Sequence, residues 1–247
     1  MVIVVFLVSL YGILHLSPVQ TWLAKKYAAS LSKQLHTKVS INKVDIRFFN
    51  KVKLWGVYVE DQQKDTLLSI KSMDADLNDW FFLKDQIILK NLTLNDGSIY
   101  LKRENTNWNF QFLMDYFTSK NKNKKSNPSK IIFECQQLSC NNIHINQSDN
   151  WIGQSYDIHC KKINSQFEKT DFQKNIFVIR TLQLTAPKIS YLEFEGKRPS
   201  LSNIKNPSSN SSAFELTIKK IIINNGAFNF VHNTKILKKK GLFDENN

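Results

Sequence analysis

The sequence predicts a mainly β protein in which an N-terminal membrane helix and an amphipathic helix lead into an antiparallel β-repeat array. Three observations carry this. The first sixteen residues hold no Lys, Arg, Asp or Glu. A helical apolar spacing follows Ser17-Pro18. From Val39 onward the apolar period drops from 3.6 to 2, and similar units return about every forty residues. The chain has 247 residues, 42% of them hydrophobic, enough for a sizeable core and too apolar for a disordered chain. With only 7 Gly and 5 Pro, its turns must come largely from Asn, Asp and Ser.

The opening run "MVIVVFLVSLYGILHL" is the candidate membrane segment. A bilayer core of about 30 Å needs roughly 20 helical residues, and sixteen fall short of it. Three readings compete: a transmembrane anchor lacking an upstream start, a cleaved signal peptide, and a buried core helix. No Lys or Arg precedes the run and no A-x-A follows Leu16, which speaks against the signal peptide. The leading reading is a transmembrane anchor over 1–16. Lys25 and Lys26 would hold the following chain on the cytoplasmic side, but an upstream segment would change that count, so charge leaves the orientation open.

Over 17–36, Ser17 suits an N-cap and Pro18 the first turn, and Val19, Trp22, Leu23, Tyr27, Leu31 and Leu35 fall at helical spacing. Gln20, Lys25, Lys26 and Lys33 occupy the other side. The apolar stripe is expected to pack on the edge of a β core, with the bilayer surface as the alternative.

The strands begin with Val39, Ile41, Val44, Ile46 and Phe48, then "RFFNKVKLWGVYVEDQQKDTLLSI", then Ile87, Leu89, Leu92, Leu94, Ile99 and Leu101. Five units align: "KLWGVYV", "LTLNDGSIYL", "LSCNNIHI", "LQLTAPKISYL" and "IIINNGAFNF". Their anchors Leu54, Leu94, Leu138, Leu184 and Ile223 stand 40, 44, 46 and 39 residues apart, and each precedes an apolar residue by five positions. The residues between read as turns. Each unit offers one apolar face and one face of Lys, Asn, Ser and Thr, as a sheet wetted on one side should. A closed β-sandwich is the alternative to an open array.

Two stretches interrupt the array: "TSKNKNKKSNPSK" at 118–130 and "RPSLSNIKNPSSNSS" at 198–212 read as exposed loops. The expected organisation is an anchor at 1–16, a helix at 17–36, a first β segment at 37–117, a Lys-rich loop at 118–130 and further repeats at 131–247. "LKKKGLFDENN" closes no pattern, so the chain is expected to be part of a longer repeat protein.

Catalytic signatures are missing: no G-x-x-x-x-G-K-[ST], H-E-x-x-H, G-x-S-x-G or G-x-G-x-x-G occurs. Neither an enzyme nor a cofactor is expected. Cys135, Cys140 and Cys160 allow one disulfide and require none, and with His144 and His159 they match no compact zinc spacing. Glu60, Asp61 and Asp65 read as a solvated turn rather than a calcium loop, and Asp74, Asp76 and Asp79 as an exposed face. The net charge of +13 sits largely in the 118–130 loop and at Lys238–Lys240 with little Arg, which reads first as solvated loops, then as a surface for anionic lipid head groups, and only distantly as a nucleic-acid binder.

The stretch "PVQTWLAKKYAASLSKQLHTKVSINKVDIRFFNKVKLWGVYVEDQQKDTLLSIKSM", with "LTLNDGSIYLKRENTNWNFQFLMDYF" after it, resembles the N-terminal region of AsmA-like proteins of the TamB type over about Ser17 to Phe117. The resemblance implies an inner-membrane anchor, a periplasmic body of β-repeats forming an elongated groove, and work in outer-membrane protein assembly or phospholipid transport. It also implies an Omp85-type partner, engaged through a C-terminal domain that nothing in this chain matches. Phospholipid acyl chains are the expected cargo, and Leu92, Leu94, Ile99, Leu101, Leu182, Leu184, Ile221, Ile223 and Phe228 the expected groove lining. A membrane-tethered structural β-domain with a filled core is the alternative.

Overall fold

A computed structural model of the chain describes residues 17–47, 50–77, 86–119, 132–171, 176–197 and 215–232. The anchor expected at 1–16 lies outside them, as do Asp79, the 198–212 loop and all but Thr118 and Ser119 of the 118–130 loop. No helix among the described residues is long and apolar enough to cross a membrane.

The chain is mainly β, as its period-2 patterning requires. Helix α1 (Ser17–Leu35) precedes β1 (Val39–Ser40), β2 (Lys43–Arg47), β3 (Lys51–Glu60), β4 (Thr66–Leu77) and β5 (Gln86–Arg103). Helix α2 (Gln111–Ser119) is followed by β6 (Ile132–Asp149), β7 (Gln154–Asp171), β8 (Ile176–Glu193), β9 (Glu215–Ile218), β10 (Ile221–Asn224) and β11 (Ala227–His232). The eleven strands among the described residues form one open sheet in the order β1-β3-β4-β5-β6-β7-β8-β10, with β2 on β3 and with β9 and β11 on β8.

The expected antiparallel array is corrected to a mixed sheet. β3, β4 and β5 pair antiparallel, as do β6, β7 and β8, but β5 meets β6 in parallel and β8 meets β9, β10 and β11 in parallel. A parallel step must carry the chain back along a whole strand, which a tight turn cannot do. The two polar interruptions of the repeat fall in these two crossovers.

A second correction concerns the turns inside the repeat units. β5, β6, β7 and β8 each run 18 residues without a break. Where turns were expected, one residue per strand takes a positive φ: Gly56 (61°), Asp96 (51°), Asn142 (52°), Ala186 (49°) and, between β10 and β11, Asn225 (54°). These positions lie side by side across the sheet. Asp96 and Asn142 fall together in the gap between the pairs Asn95↔Asn141 and Gly97↔Ile143, and their side chains hydrogen-bond at 2.9 Å. On the returning strands Lys71 and Lys161 hold the matching places.

This line is a crease. A regular strand sends every second side chain to one face, so an odd spacing between apolar residues would split them between faces. At the crease the parity flips: Leu92 and Leu94 give way to Gly97, Ile99 and Leu101, and Leu138 and Cys140 to Ile143 and Ile145. Residues from both sides of the flip pack in one cluster around Ile70, Cys140 and Ile143.

Helix α1 covers the sheet edge, as expected, but with a face that runs through Gln20, Thr21, Ala28, Ser32 and Leu35, so that of the expected apolar stripe Trp22, Leu23 and Tyr27 are left exposed. The Gln20 amide donates to Ile46 O (3.3 Å) and its carbonyl accepts from Ile46 N (2.7 Å). Thr21 Oγ1 exchanges the same pair of bonds with Val44, and Ser32 Oγ with Val39. The helix thus satisfies edge groups that a lone strand leaves open. Gln20, Ala28 and Leu35 are buried, whereas Trp22 is 59% and Tyr27 67% exposed, with Leu23 beside them. An edge backbone needs polar partners, and that requirement outweighed the apolar stripe. The helix stops where His36 turns left-handed (φ 54°) and Thr37 N donates back to Ser32 O, a Schellman-type end.

Ala186→Gly is expected to stabilise the fold by roughly 0.5–1 kcal/mol, because relief of left-handed strain exceeds the added chain entropy, and Ala186→Val to destabilise it. Urea unfolding midpoints check both signs. Gln20→Ala should cost about 1–3 kcal/mol by orphaning Ile46, while Trp22→Ala stays within roughly 0.5 kcal/mol in the same assay.

Candidate functional site: the apolar face of the sheet

Register places the apolar residues in rows that cross the sheet at right angles to the strands. One row runs Val59, Leu68, Ile99, Ile145, Ile158, Ile189, Phe228. On the other side of the crease a row runs Leu54, Met73, Leu94, Cys140, Ile163, Leu184, Ile223. Next to it lies Val52, Ala75, Leu92, Leu138, Ser165, Leu182, Ile221. Eight of the nine residues expected to line a groove, all but Leu101, therefore fall in these three rows, with the row of Ile70 and Ile143 between the first and the second.

Leu101 stands one step further along β5, paired with Gln147, and the row continues through Tyr156 and Tyr191 to Phe230. Their rings sit close, Tyr156 to Tyr191 at 4.8 Å and Tyr191 to Phe230 at 5.4 Å between centroids. Sequence reasoning missed this aromatic run because its members come from three strands. The i, i+2 spacing of Ile189 with Tyr191 and of Phe228 with Phe230 was the available signal.

Burial varies along the rows. In the middle of the sheet Ile70 is 1% exposed and Ile143 and Cys140 little more. Leu92, Leu94, Ile99, Leu101, Leu182 and Leu184 are half-buried. Ile221, Ile223, Phe228 and Phe230, on the outermost strands, stand more than half exposed. Among the described elements the helices pack elsewhere, α1 on β1 and β2, and α2 on α1 through Tyr116 and Gln34.

Gly97 is part of how the face packs. It lies in the row of Val57, Ile70, Ile143 and Cys160, and a Cβ there would come within 2.2 Å of Ile70 Cδ1. Its missing side chain leaves the space that the two isoleucines fill.

The opposite face is polar and laced by cross-strand bonds: Asn95 to Ser72 (3.2 Å), Asn141 to Asn95 (2.8 Å) and Ser139 to Asn164 (3.1 Å). On it His144, Asp157 and His159 converge. Nε2 of His144 lies 2.9 Å from one Asp157 oxygen and Nε2 of His159 3.0 Å from the other, and the two rings stack at 4.0 Å. Burial works to raise the Asp157 carboxyl. Hydrogen bonds from His144 and Asn146 and the charges of both histidines outweigh it and hold the group below its ordinary value.

The cysteines lie apart from these histidines. Cys140 and Cys160 occupy the apolar rows, and all three thiols are free and buried. Burial pushes the Cys140 thiol up to about 11, with Cys160 and Cys135 adding to the shift.

The acidic turn after β3 departs from expectation. Asp61 is fully buried rather than solvated. Its carboxylate accepts from Gln63 N, Asp65 N and the Asn109 amide, while Thr37 Oγ1 donates to its carbonyl. At the start of the β6–β7 hairpin, buried Asp149 takes Arg103 in a two-pronged ion pair and caps Trp151 N and Ile152 N. Both aspartates pin ends of strands that bear the apolar rows.

Neither the family models nor the curated proteins compared with the chain contain a match.

With thiolate held to about one part in a thousand near pH 8, native Cys140 should resist iodoacetamide while all three cysteines label after unfolding. Mass spectrometry of digested protein reads the sites, and fast native labelling of Cys140 would contradict the packed face.

Proposed function

We propose that the chain is the membrane-proximal part of an anchored, non-enzymatic envelope protein of the AsmA/TamB kind, whose apolar sheet face carries lipid acyl chains. The observation that supports it best is the continuity of the apolar rows over seven strand positions, with neither a helix nor a second sheet laid on them among the described elements. Burial favours an acyl chain on such a surface by about 0.8 kcal/mol per CH2. The rows have few polar interruptions, so a chain can slide along them without exposing an unpaired group.

Ile70 is 1% exposed in a one-layer sheet, packed by neighbours on the same face and by the space at Gly97. In this reading the sheet bends with its apolar side inward, and that burial supports it. The likeness of residues 17–117 to the TamB type supplies the setting: an inner-membrane anchor, a periplasmic body, and support for outer-membrane protein assembly or phospholipid transport with an Omp85-type partner.

A second reading draws on the same cluster. Ile70, Cys140 and Ile143 are buried by their own neighbours, as in a tethered structural β-domain whose face fills itself.

Photocrosslinking separates the two. A photoreactive side chain at Leu94 or Ile99 should capture phospholipid in cells, whereas one at Thr93 or Ser98, on the polar face, should not. Capture at none of the four positions favours the filled face. Equal capture at all four means only that the protein lies near a membrane, and removes the support for a groove.

A further inference from the structure

We propose that His144, Asp157 and His159 form a binding site for a divalent transition ion of the zinc type on the polar face of the sheet. The proposal stands apart from the lipid reading, since these residues lie on the other side of the sheet from the apolar rows. Two antiparallel strands set the donors in a square. His144 on β6 is paired with His159 on β7, and two residues along, Asn146 is paired with Asp157. Side chains two apart on one strand share a face, so all four project together.

The ligand atoms of the two histidines and the aspartate lie within 4.8 Å of one another. Zinc bonds of about 2.0–2.2 Å put tetrahedral ligands roughly 3.4 Å apart. Closing that gap takes rotation of three partly exposed side chains and no change in the strands. The ion would stand where both Nε2 atoms now share the carboxylate, with each neutral ring moving its N–H to Nδ1 and a charged ring releasing one proton. Two imidazoles and one carboxylate suit a borderline ion and leave one position for water, whereas calcium and magnesium demand more oxygen donors.

The surroundings support the set. Asn146 donates to Asp157 Oδ2 at 3.0 Å, fixing the carboxylate, and the Tyr100 ring stands edge-on to His144 at 5.8 Å. Such outer partners orient the groups that touch a metal. The adverse feature is Lys188, the β8 residue paired with His159, whose charge opposes a cation. It predicts an effect of opposite sign.

Zinc titration of the purified chain by calorimetry near pH 7.5 tests the site. Saturable binding of one ion is expected, weakening in acid because protons compete with the metal for its ligands. His144→Ala, His159→Ala and Asp157→Asn should each lower affinity at least tenfold, Asn146→Ala about tenfold, and Lys188→Gln should raise it. Magnesium and calcium should not compete.

A second measurement needs no variant. Zinc should shield His144 and His159 from diethyl pyrocarbonate while His36 and His232 continue to react. No saturable binding at roughly 100 µM zinc, or unchanged affinity in the His144/His159 double variant, overturns the proposal and leaves a hydrogen-bonded triad. Reaction of both site histidines at an undiminished rate in saturating zinc overturns it equally.

Discussion

The left-handed crease is the constraint on which the rest of the sheet depends. Strands of 18 residues must keep their apolar side chains on one face from end to end, and the strict alternation of a strand forbids any odd step. This sequence takes an odd step in every strand that crosses the middle of the sheet. On the strands that run one way Gly56, Asp96, Asn142, Ala186 and Asn225 absorb it by adopting a conformation that L-residues otherwise avoid, while Lys71 and Lys161 hold its place on the returning strands. Glycine tolerates that conformation and Asp and Asn accept it better than most residues, so four of the five suit the place. Ala186 does not, yet it takes the same conformation, next to Asn225 on one side and to Lys161 of the returning strand on the other.

The crease also organises chemistry on both faces. On the apolar side it brings the rows of Leu94 and Gly97 together, so that Ile70 and Ile143 can meet over the missing glycine side chain. On the polar side it flips His144 to lie outward while Cys140, four residues earlier, lies inward. The pair His144 and His159 and the pair Cys140 and Ile163 stem from the same two strands and end in opposite environments. A single set of backbone angles therefore decides which donors can gather around a cation and which thiols are sealed from solvent.

Much of this was legible in the residues. Period-2 patterning marked the strands, the forty-residue spacing marked the repeat, and the five-residue step from Leu94 to Ile99 was the signature of the crease, although it read as a turn. Asn, Asp and Gly are favoured in turns for the same reason that they fit a crease: both need positive φ. The misread features share a cause, since each depends on a partner distant in sequence. Gln20 is buried because Ile46 offers it two backbone groups, and Asp61 because Asn109 and its own turn supply donors. The parallel step between β5 and β6 and the meeting of Asp157 with both histidines likewise follow from register, which no local pattern records.

The direction of the rows bears on the proposed lipid role. A row that followed one strand would end where the strand ends. These rows run across the strands, advancing about 4.8 Å with each neighbour, so the seven positions from β3 to β11 span roughly 29 Å. The two three-strand groups, β3 to β5 and β6 to β8, meet in parallel, which keeps the sense of the crease and the side of the apolar face from one group to the next. An antiparallel junction would reverse the strand that carries the left-handed residue. The parallel step, with the long polar crossover it requires, thus lets the path lengthen by adding strands rather than by lengthening any one of them.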